Sequence, residues 1–136
     1  MSKTVFASSS DAFGLSVEKR KHILCSDGHE DTCAMMVLWL DLCGYEVTTA
    51  GSVAETLALS DKRGFDLLIL DGWYPDGFGV DLCKQIRGFD TLTPVFFLSA
   101  LAYQSDIDKG MAAGAQAYIT KPFDFAELHE TIERFI

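Results

Sequence analysis

Phe65-Asp-Leu-Leu-Ile-Leu70-Asp71-Gly-Trp-Tyr-Pro75-Asp-Gly-Phe-Gly79 is the stretch on which the fold turns. Its first six residues are nearly all apolar and too few for an ordinary helix. Such a run reads as a strand buried on both faces, the signature of a central strand in a parallel sheet. It stops at Asp71, and the loop that follows to Gly79 contains three glycines and Pro75.

Downstream of this loop, Val80, Leu82, Cys83 and Ile86 mark a third helix and Pro94–Leu98 a fourth strand. Ser105–Ala113 reads as a fourth helix weakened by Gly110. Ala117–Thr120 is a fifth strand. Asp124 with Glu127 caps a last helix whose core stripe is Phe125, Leu128, Ile132 and Phe135. Upstream, His22–Ser26 is a first strand. A helix follows with Met35, Leu38, Trp39 and Leu42 as its apolar stripe and Gly44 as its stop. Tyr45–Ala50 carries the Val and Thr of a second strand, and Ser52-x-x-Glu55 is a capping box opening a helix to about Arg63. Strict alternation of five strands and five helices requires an α/β fold: a five-stranded parallel sheet with helices on both faces. The domain spans 21–136. Residues 1–20 show no periodicity and read as a flexible arm, although Phe13, Leu15 and Val17 could dock.

Composition narrows the function. The chain has 136 residues, 49% of them hydrophobic and 23% charged, enough for one domain with a full core. No apolar run reaches the roughly 20 residues of a bilayer span, and the N-terminus lacks a secretory pattern, so a cytoplasmic protein is expected. A net charge of −9 opposes non-specific nucleic-acid binding. The basic cluster Lys19-Arg20-Lys21 reads as a solvated entrance to the domain. Cys25, Cys33, Cys43 and Cys83 are too scattered for a disulfide scaffold. Cys25, His29 and Cys33 have the spacing of ligands on one helix. Cys25 falls in a strand, so buried thiols account for them better than a zinc site.

In a parallel α/β sheet, sites lie beyond the carboxyl ends of the strands. Asp27 follows the first strand, Asp71 the third, Ser99 the fourth and Lys121 the fifth. Two carboxylates, a hydroxyl and an ammonium group suit phosphoryl transfer. One carboxylate can become an acyl phosphate, a hard divalent ion can neutralise phosphoryl oxygens, and the other two groups can bind them.

At these residues the chain resembles the receiver domains of two-component signalling, the CheY-like superfamily. The resemblance rests on Leu68-Ile-Leu-Asp71-Gly-Trp-Tyr-Pro75-Asp-Gly-Phe-Gly79, on Thr93-Pro-Val-Phe-Phe-Leu-Ser99-Ala100, and on Gly114-Ala-Gln-Ala-Tyr118-Ile-Thr-Lys121-Pro122-Phe123. It implies a flavodoxin-like, doubly wound (βα)5 fold with Asp71 as phosphoacceptor. Ser99 would be the switch hydroxyl, Lys121 the phosphoryl ligand and Tyr118 the aromatic whose rotamer reports the signal. It also implies a cis bond before Pro122, and Mg2+ held by Asp27, Asp71 and the Trp73 backbone carbonyl. Taken singly, Ser99 could merely cap a loop and Tyr118 could be an ordinary half-buried strand tyrosine.

Two departures stand out. Members of the family carry adjacent acids after the first strand, whereas Ser26-Asp27-Gly28-His29-Glu30-Asp31 has Gly28 in the second acidic place. Weaker Mg2+ binding is expected, with an added water in the gap or with Glu30 swinging in. Glu30 could equally serve only the helix N-terminus. His29 could serve a softer metal, or nothing. Secondly, Trp73 and Leu101 flank the implied path of the hydrolytic water, and neither can orient it, so slow loss of the phosphate is expected.

The leading reading is a phosphoacceptor receiver. A histidine kinase or histidine phosphotransfer protein would phosphorylate Asp71. Output would be by contact with a downstream protein through the face of the fourth helix, fifth strand and fifth helix, which could also form a homodimer. The domain would assist its own phosphoryl transfer without being an enzyme. It could be a stand-alone switch or a receiver excised from a longer protein. The alternative is a phosphorylation-independent interaction module that lost efficient metal use through Gly28. A small hydrolase fits poorly: no nucleophile–base pair flanks Asp71, and no Gly-rich phosphate loop follows the first strand.

Overall fold

A computed structural model describes residues 19–136. The strands are β1 (His22–Ser26), β2 (Glu46–Ala50), β3 (Leu67–Leu70), β4 (Val95–Ser99) and β5 (Ala117–Thr120). The helices between and after them are α1 (Glu30–Leu42), α2 (Val53–Asp61), α3 (Gly79–Arg87), α4 (Gln104–Ala112) and α5 (Phe125–Phe135). All five strands pair in parallel, in the order β2-β1-β3-β4-β5. The doubly wound sheet expected from the alternation is present, with β3 at its centre.

Side chains alternate across β3. Leu67 and Ile69 join Ile23, Cys25, Phe96 and Leu98 against Met36 and Leu40 of α1 and Leu128 and Ile132 of α5. Leu68 and Leu70 join Leu24, Val95 and Phe97 against Leu82, Cys83 and Ile86 of α3. An apolar β3 is therefore required, because both of its faces are core. The strand is shorter than the expected Phe65–Leu70 and begins at Leu67; Asp66 just ahead of it donates its backbone N–H to the His22 carbonyl at 2.7 Å and accepts from the His22 backbone N–H on its carboxylate at 2.8 Å.

The α1 stripe is a correction. Met36 and Leu40 are the buried pair, while Leu38 is 62% and Leu42 79% exposed, and Met35 and Trp39 are also on the outside. Residues 33–40 are apolar all round the helix, so periodicity could not choose a face. Packing on the sheet selects the i, i+4 pair instead. Trp39 is not idle: its ring meets Phe125 edge-on, with centroids 3.8 Å apart.

Arg20 does more than mark a solvated entrance. Its guanidinium donates to the carbonyls of Asp41, Gly44 and Tyr45 and pairs with the Asp41 carboxylate at 2.9 Å. It thereby satisfies carbonyls at and beyond the end of α1, where helical partners run out. The rest of the expected arm, including Phe13, Leu15 and Val17, lies outside the described residues.

The loop after Asp71 contains structure that glycine content concealed. Trp73–Tyr74 and Gly77–Phe78 pair as a two-rung antiparallel hairpin. At its turn the Asp76 carboxylate accepts from the backbone N–H groups of Val53 and Ala54. The hairpin thus caps α2 from outside, alongside Ser52, which accepts from Glu55. These two bonds hold the Asp76 carboxyl below the usual carboxylate range.

Candidate functional site

The strand ends bring three sequence-identified residues together. Asp27 is 6% exposed, and the Lys121 ammonium donates to its Oδ2 at 2.6 Å. Its Oδ1 accepts from the His29 backbone N–H at 2.9 Å and faces His29 Nδ1 at 3.0 Å. Asp71, also 6% exposed, stands across from it, with Lys121 Nζ 3.8 Å from its Oδ1. That oxygen accepts from the Gly72 backbone N–H at 2.7 Å. Burial pushes the Asp71 carboxyl above the usual carboxylate range, and the Asp27 charge adds to this. Lys121 and the Gly72 amide pull the other way without reversing it.

Close contacts explain two of the motif glycines. A Cβ at Gly79 would lie 2.0 Å from the Asp71 carbonyl, because α3 starts directly on the backbone of Asp71. A Cβ at Gly72 would lie 2.3 Å from Ser99 Oγ. Ser99 is fully buried as the last residue of β4, and its Oγ accepts from the Leu101 backbone N–H at 3.0 Å. Gly72 therefore lets the β3 and β4 ends approach, placing Ser99 beside the loop that follows Asp71. Tyr118 stands further off. Its ring stacks on Phe97 at 5.4 Å and its hydroxyl donates to the Leu101 carbonyl at 2.6 Å. The Lys121–Pro122 bond is cis, as expected.

Other expectations for this edge divide. Asp27, His29 and Asp71 each offer a ligand atom, all within 4.8 Å of one another. Among the described residues, neither Cys25, Cys33 nor Glu30 joins that group. Burial pushes the Cys25 and Cys33 thiols up, and the Cys33 thiol donates to the Asp27 carbonyl. Among the described residues neither cysteine comes together with His29 in a ligand group, so the zinc reading of Cys25, His29 and Cys33 has no support. Two carboxylates and an imidazole beside an exposed loop fit a six-coordinate divalent ion that keeps waters.

Residues 23–133 match the response regulator receiver domain. The chain belongs to that family. Receiver domains are the signalling domains of two-component response regulators, and the CheY-like fold here agrees. Over 111 residues the chain is 35% identical to the nisin biosynthesis regulatory protein NisR of Lactococcus lactis subsp. lactis, covering 82% of this chain and 48% of that protein. It is 31% identical over 116 residues to the alkaline phosphatase synthesis transcriptional regulatory protein PhoP of Bacillus subtilis (85% and 48%). The chain thus spans about half the length of these curated relatives. Among solved structures, a CheY-like receiver domain protein from Methanospirillum hungatei aligns with a TM-score of 0.82 at 28% identity, over 85% of this chain and 93% of that one. The response regulator TrrA of Thermotoga maritima, in complex with Mg2+-BeF, aligns at 0.78 and 30%, over 85% and 99%.

This receiver contains a buried relay that sequence reading missed. Asp71 N–H donates to the Tyr74 hydroxyl at 2.8 Å. Tyr74 Oη meets Ser26 Oγ at 2.8 Å, and Ser26 Oγ meets Thr56 Oγ1 at 2.6 Å. Thr56 spends its own proton on the Ser52 carbonyl. The direction of the relay is therefore set: Tyr74 donates to Ser26, and Ser26 donates to Thr56. It ties the Asp71 backbone to the end of β1 and the first turn of α2. Nothing in the sequence marked it, because Tyr74 stands among Gly, Pro and Asp and its burial is set by the fold.

Proposed function

We propose that this receiver is a phosphoacceptor switch in which Asp71 is the acceptor. One observation carries the reading: the Lys121 ammonium lies within 2.6 Å of Asp27 and 3.8 Å of a buried Asp71. An Asp71 carboxylate oxygen attacks the phosphorus of a phosphohistidine on a histidine kinase or phosphotransfer protein. The P–N bond breaks, the imidazole leaves with a proton, and an acyl phosphate remains on Asp71. Mg2+, when bound, supplies positive charge against the phosphoryl oxygens. Asp27, Asp71 and the Trp73 carbonyl would hold it. Lys121 turns from Asp27 to the phosphoryl group, and Ser99 Oγ, whose proton is not used by Leu101, donates to another phosphoryl oxygen.

Movement of Ser99 pulls on Leu101, because the two share a hydrogen bond. The Leu101 carbonyl is also the partner of Tyr118. A cleft of about 380 Å³ between α3 and α4, lined by Gly72, Phe97, Leu101 and Tyr118, gives that ring room to reorient. The altered face of α4, β5 and α5 then meets a downstream protein or a second copy. Regulation, rather than turnover of a substrate, is the role of the domain, and the described residues contain no helix long and apolar enough to cross a membrane. Residues 21–136 form the functional unit, acting in the cytoplasm.

Intact-mass analysis after incubation with acetyl phosphate, with and without Mg2+, tests the reading. A labile addition of one phosphoryl group, absent in Asp71→Asn, is the expected result. Gly28→Asp should raise the Mg2+-dependent yield, although its Cβ would meet Pro75 Cδ at 3.3 Å and the proline must yield slightly. No addition under any condition, including from a phosphohistidine donor, would overturn the proposal in favour of a phosphorylation-independent interaction module.

A further inference from the structure

The residue after Gly28 does something that the usual pattern of acids does not require. The His29 backbone N–H donates to Asp27 Oδ1 at 2.9 Å, so the chain doubles back over the carboxylate it has just left. The same turn brings the imidazole back, with Nδ1 3.0 Å from that same oxygen. Asp27, His29 and Asp71 then present three ligand atoms within 4.8 Å of one another. Ligands on one ion with bonds of about 2.1 Å lie about 3.0 Å apart when adjacent and about 4.2 Å apart when opposite. The Asp27–His29 pair already stands at the separation of adjacent ligands, and Asp71 must close on it for the three to share an ion.

We propose that His29 is a protein ligand of the divalent site, standing in for the acid that Gly28 lacks. The inference rests on the reading of Asp27 and Asp71 as a metal-binding pair. It changes the chemistry of the site from all-oxygen to oxygen plus nitrogen. Mg2+ gains little from imidazole, whereas Co2+ and its first-row neighbours bind it well. The site then prefers a borderline transition ion to Mg2+.

Other features of the edge support this choice. The His29 side chain is 69% exposed, so an ion and its waters can reach it without moving the core. The contact to Asp27 places a proton on Nδ1, because a carboxylate only accepts. Ion binding moves that proton to Nε2 on the open side of the ring. Lys121 occupies the other Asp27 oxygen, leaving Oδ1 and the imidazole on the side available to the ion. Cys33 is nearby but bound as a thiol to the Asp27 carbonyl, which leaves nitrogen as the soft donor.

The test is titration of the reduced full chain with Mg2+ and, separately, with Co2+. Heat of binding, tryptophan fluorescence and the visible absorption of Co2+ are followed together. The wild type should bind Co2+ more tightly than Mg2+. His29→Ala should weaken Co2+ roughly tenfold and alter its visible spectrum, while Mg2+ binding changes less than twofold. Binding of both ions should be lost in Asp27→Asn. Unchanged Co2+ affinity and spectrum in His29→Ala, with both ions still dependent on Asp27, would overturn the role of His29 and leave an all-oxygen site. Binding that is indifferent to Asp27→Asn as well would instead remove the two-carboxylate reading on which the inference stands.

Discussion

Asp27 and Asp71 end neighbouring strands, are equally buried, and are held in opposite ways. Asp27 is committed: one oxygen is bonded to Lys121 and the other to the backbone and ring of His29. Among the described residues the Asp71 carboxylate has a single close donor, the Gly72 amide, and Lys121 stands back at 3.8 Å. Its backbone is the firmly tied part, through Ser26, Tyr74 and the packing of Gly79. Under the proposed function, the reactive carboxylate is positioned through its main chain so that its oxygens stay available, whereas Asp27 is anchored through its oxygens.

The largest effect that would break this contrast concerns their shared cation. Lys121→Met should slow phosphorylation of Asp71 by about a hundredfold, read by intact mass against time. The same variant should bind divalent ions more tightly, because Asp27 loses its competing partner. A Lys121→Met protein phosphorylated at the wild-type rate would show that Lys121 serves Asp27 alone.

A smaller effect is expected on lifetime. Trp73 is 52% and Leu101 40% exposed near Asp71, and Leu101 Cδ1 lies only 3.0 Å from where a Gly72 side chain would begin. Neither can orient a water. Trp73→Asn combined with Leu101→Glu should speed loss of the phosphate roughly tenfold. An unchanged decay rate would show that the slow step lies elsewhere.

Tyr74→Phe sharpens the main-chain half of the comparison. It removes one of the two acceptors of Asp71 N–H, the Ser26 carbonyl at 3.1 Å being the other, and leaves Ser26 Oγ short of one bond, at about 1–2 kcal/mol of stability. Denaturant unfolding would measure this, and a neutral result would mean that a water replaces the hydroxyl.

The smallest effect is on stability against pH. The folded Asp71 carboxyl is raised chiefly by burial. Its contribution is therefore fully present below the unfolded carboxylate range and is lost as pH rises through the folded value. Asp71→Asn should raise Tm by a few degrees at neutral pH, with the gain shrinking under acid conditions. The rate of wild-type phosphorylation should climb with pH across the same raised range, since only the carboxylate attacks. Equal Tm gains at both pH values would contradict the buried-charge account.

Elements buried on both faces were easy to read. β3, β4 and the strand-end residues Asp27, Asp71, Ser99 and Lys121 stand in short apolar runs with polar stops, and those runs admit no second arrangement. α1 was not readable, because a helix that is apolar all round has no preferred face until a sheet is laid against it. The hairpin at Trp73–Phe78 was hidden by glycines that usually signal irregular chain, and its turn residue Asp76 gains meaning only when α2 lies beside it. Gly110, which looked like a weak point in α4, allows close packing: a Cβ there would lie 2.8 Å from the Tyr118 ring.

Local order in the chain therefore sufficed for the alternation of elements, the parallel sheet and the identity of the edge residues, because each depends on residues close in sequence. Distances across the edge were settled by the packed sheet alone. The meeting of Lys121 with Asp27, 94 positions apart, and the Asp71–Tyr74–Ser26–Thr56 relay depend on how strand ends are brought side by side. Hydrogen bonds and ion pairs form over a few ångströms, and only the closed fold supplies that proximity.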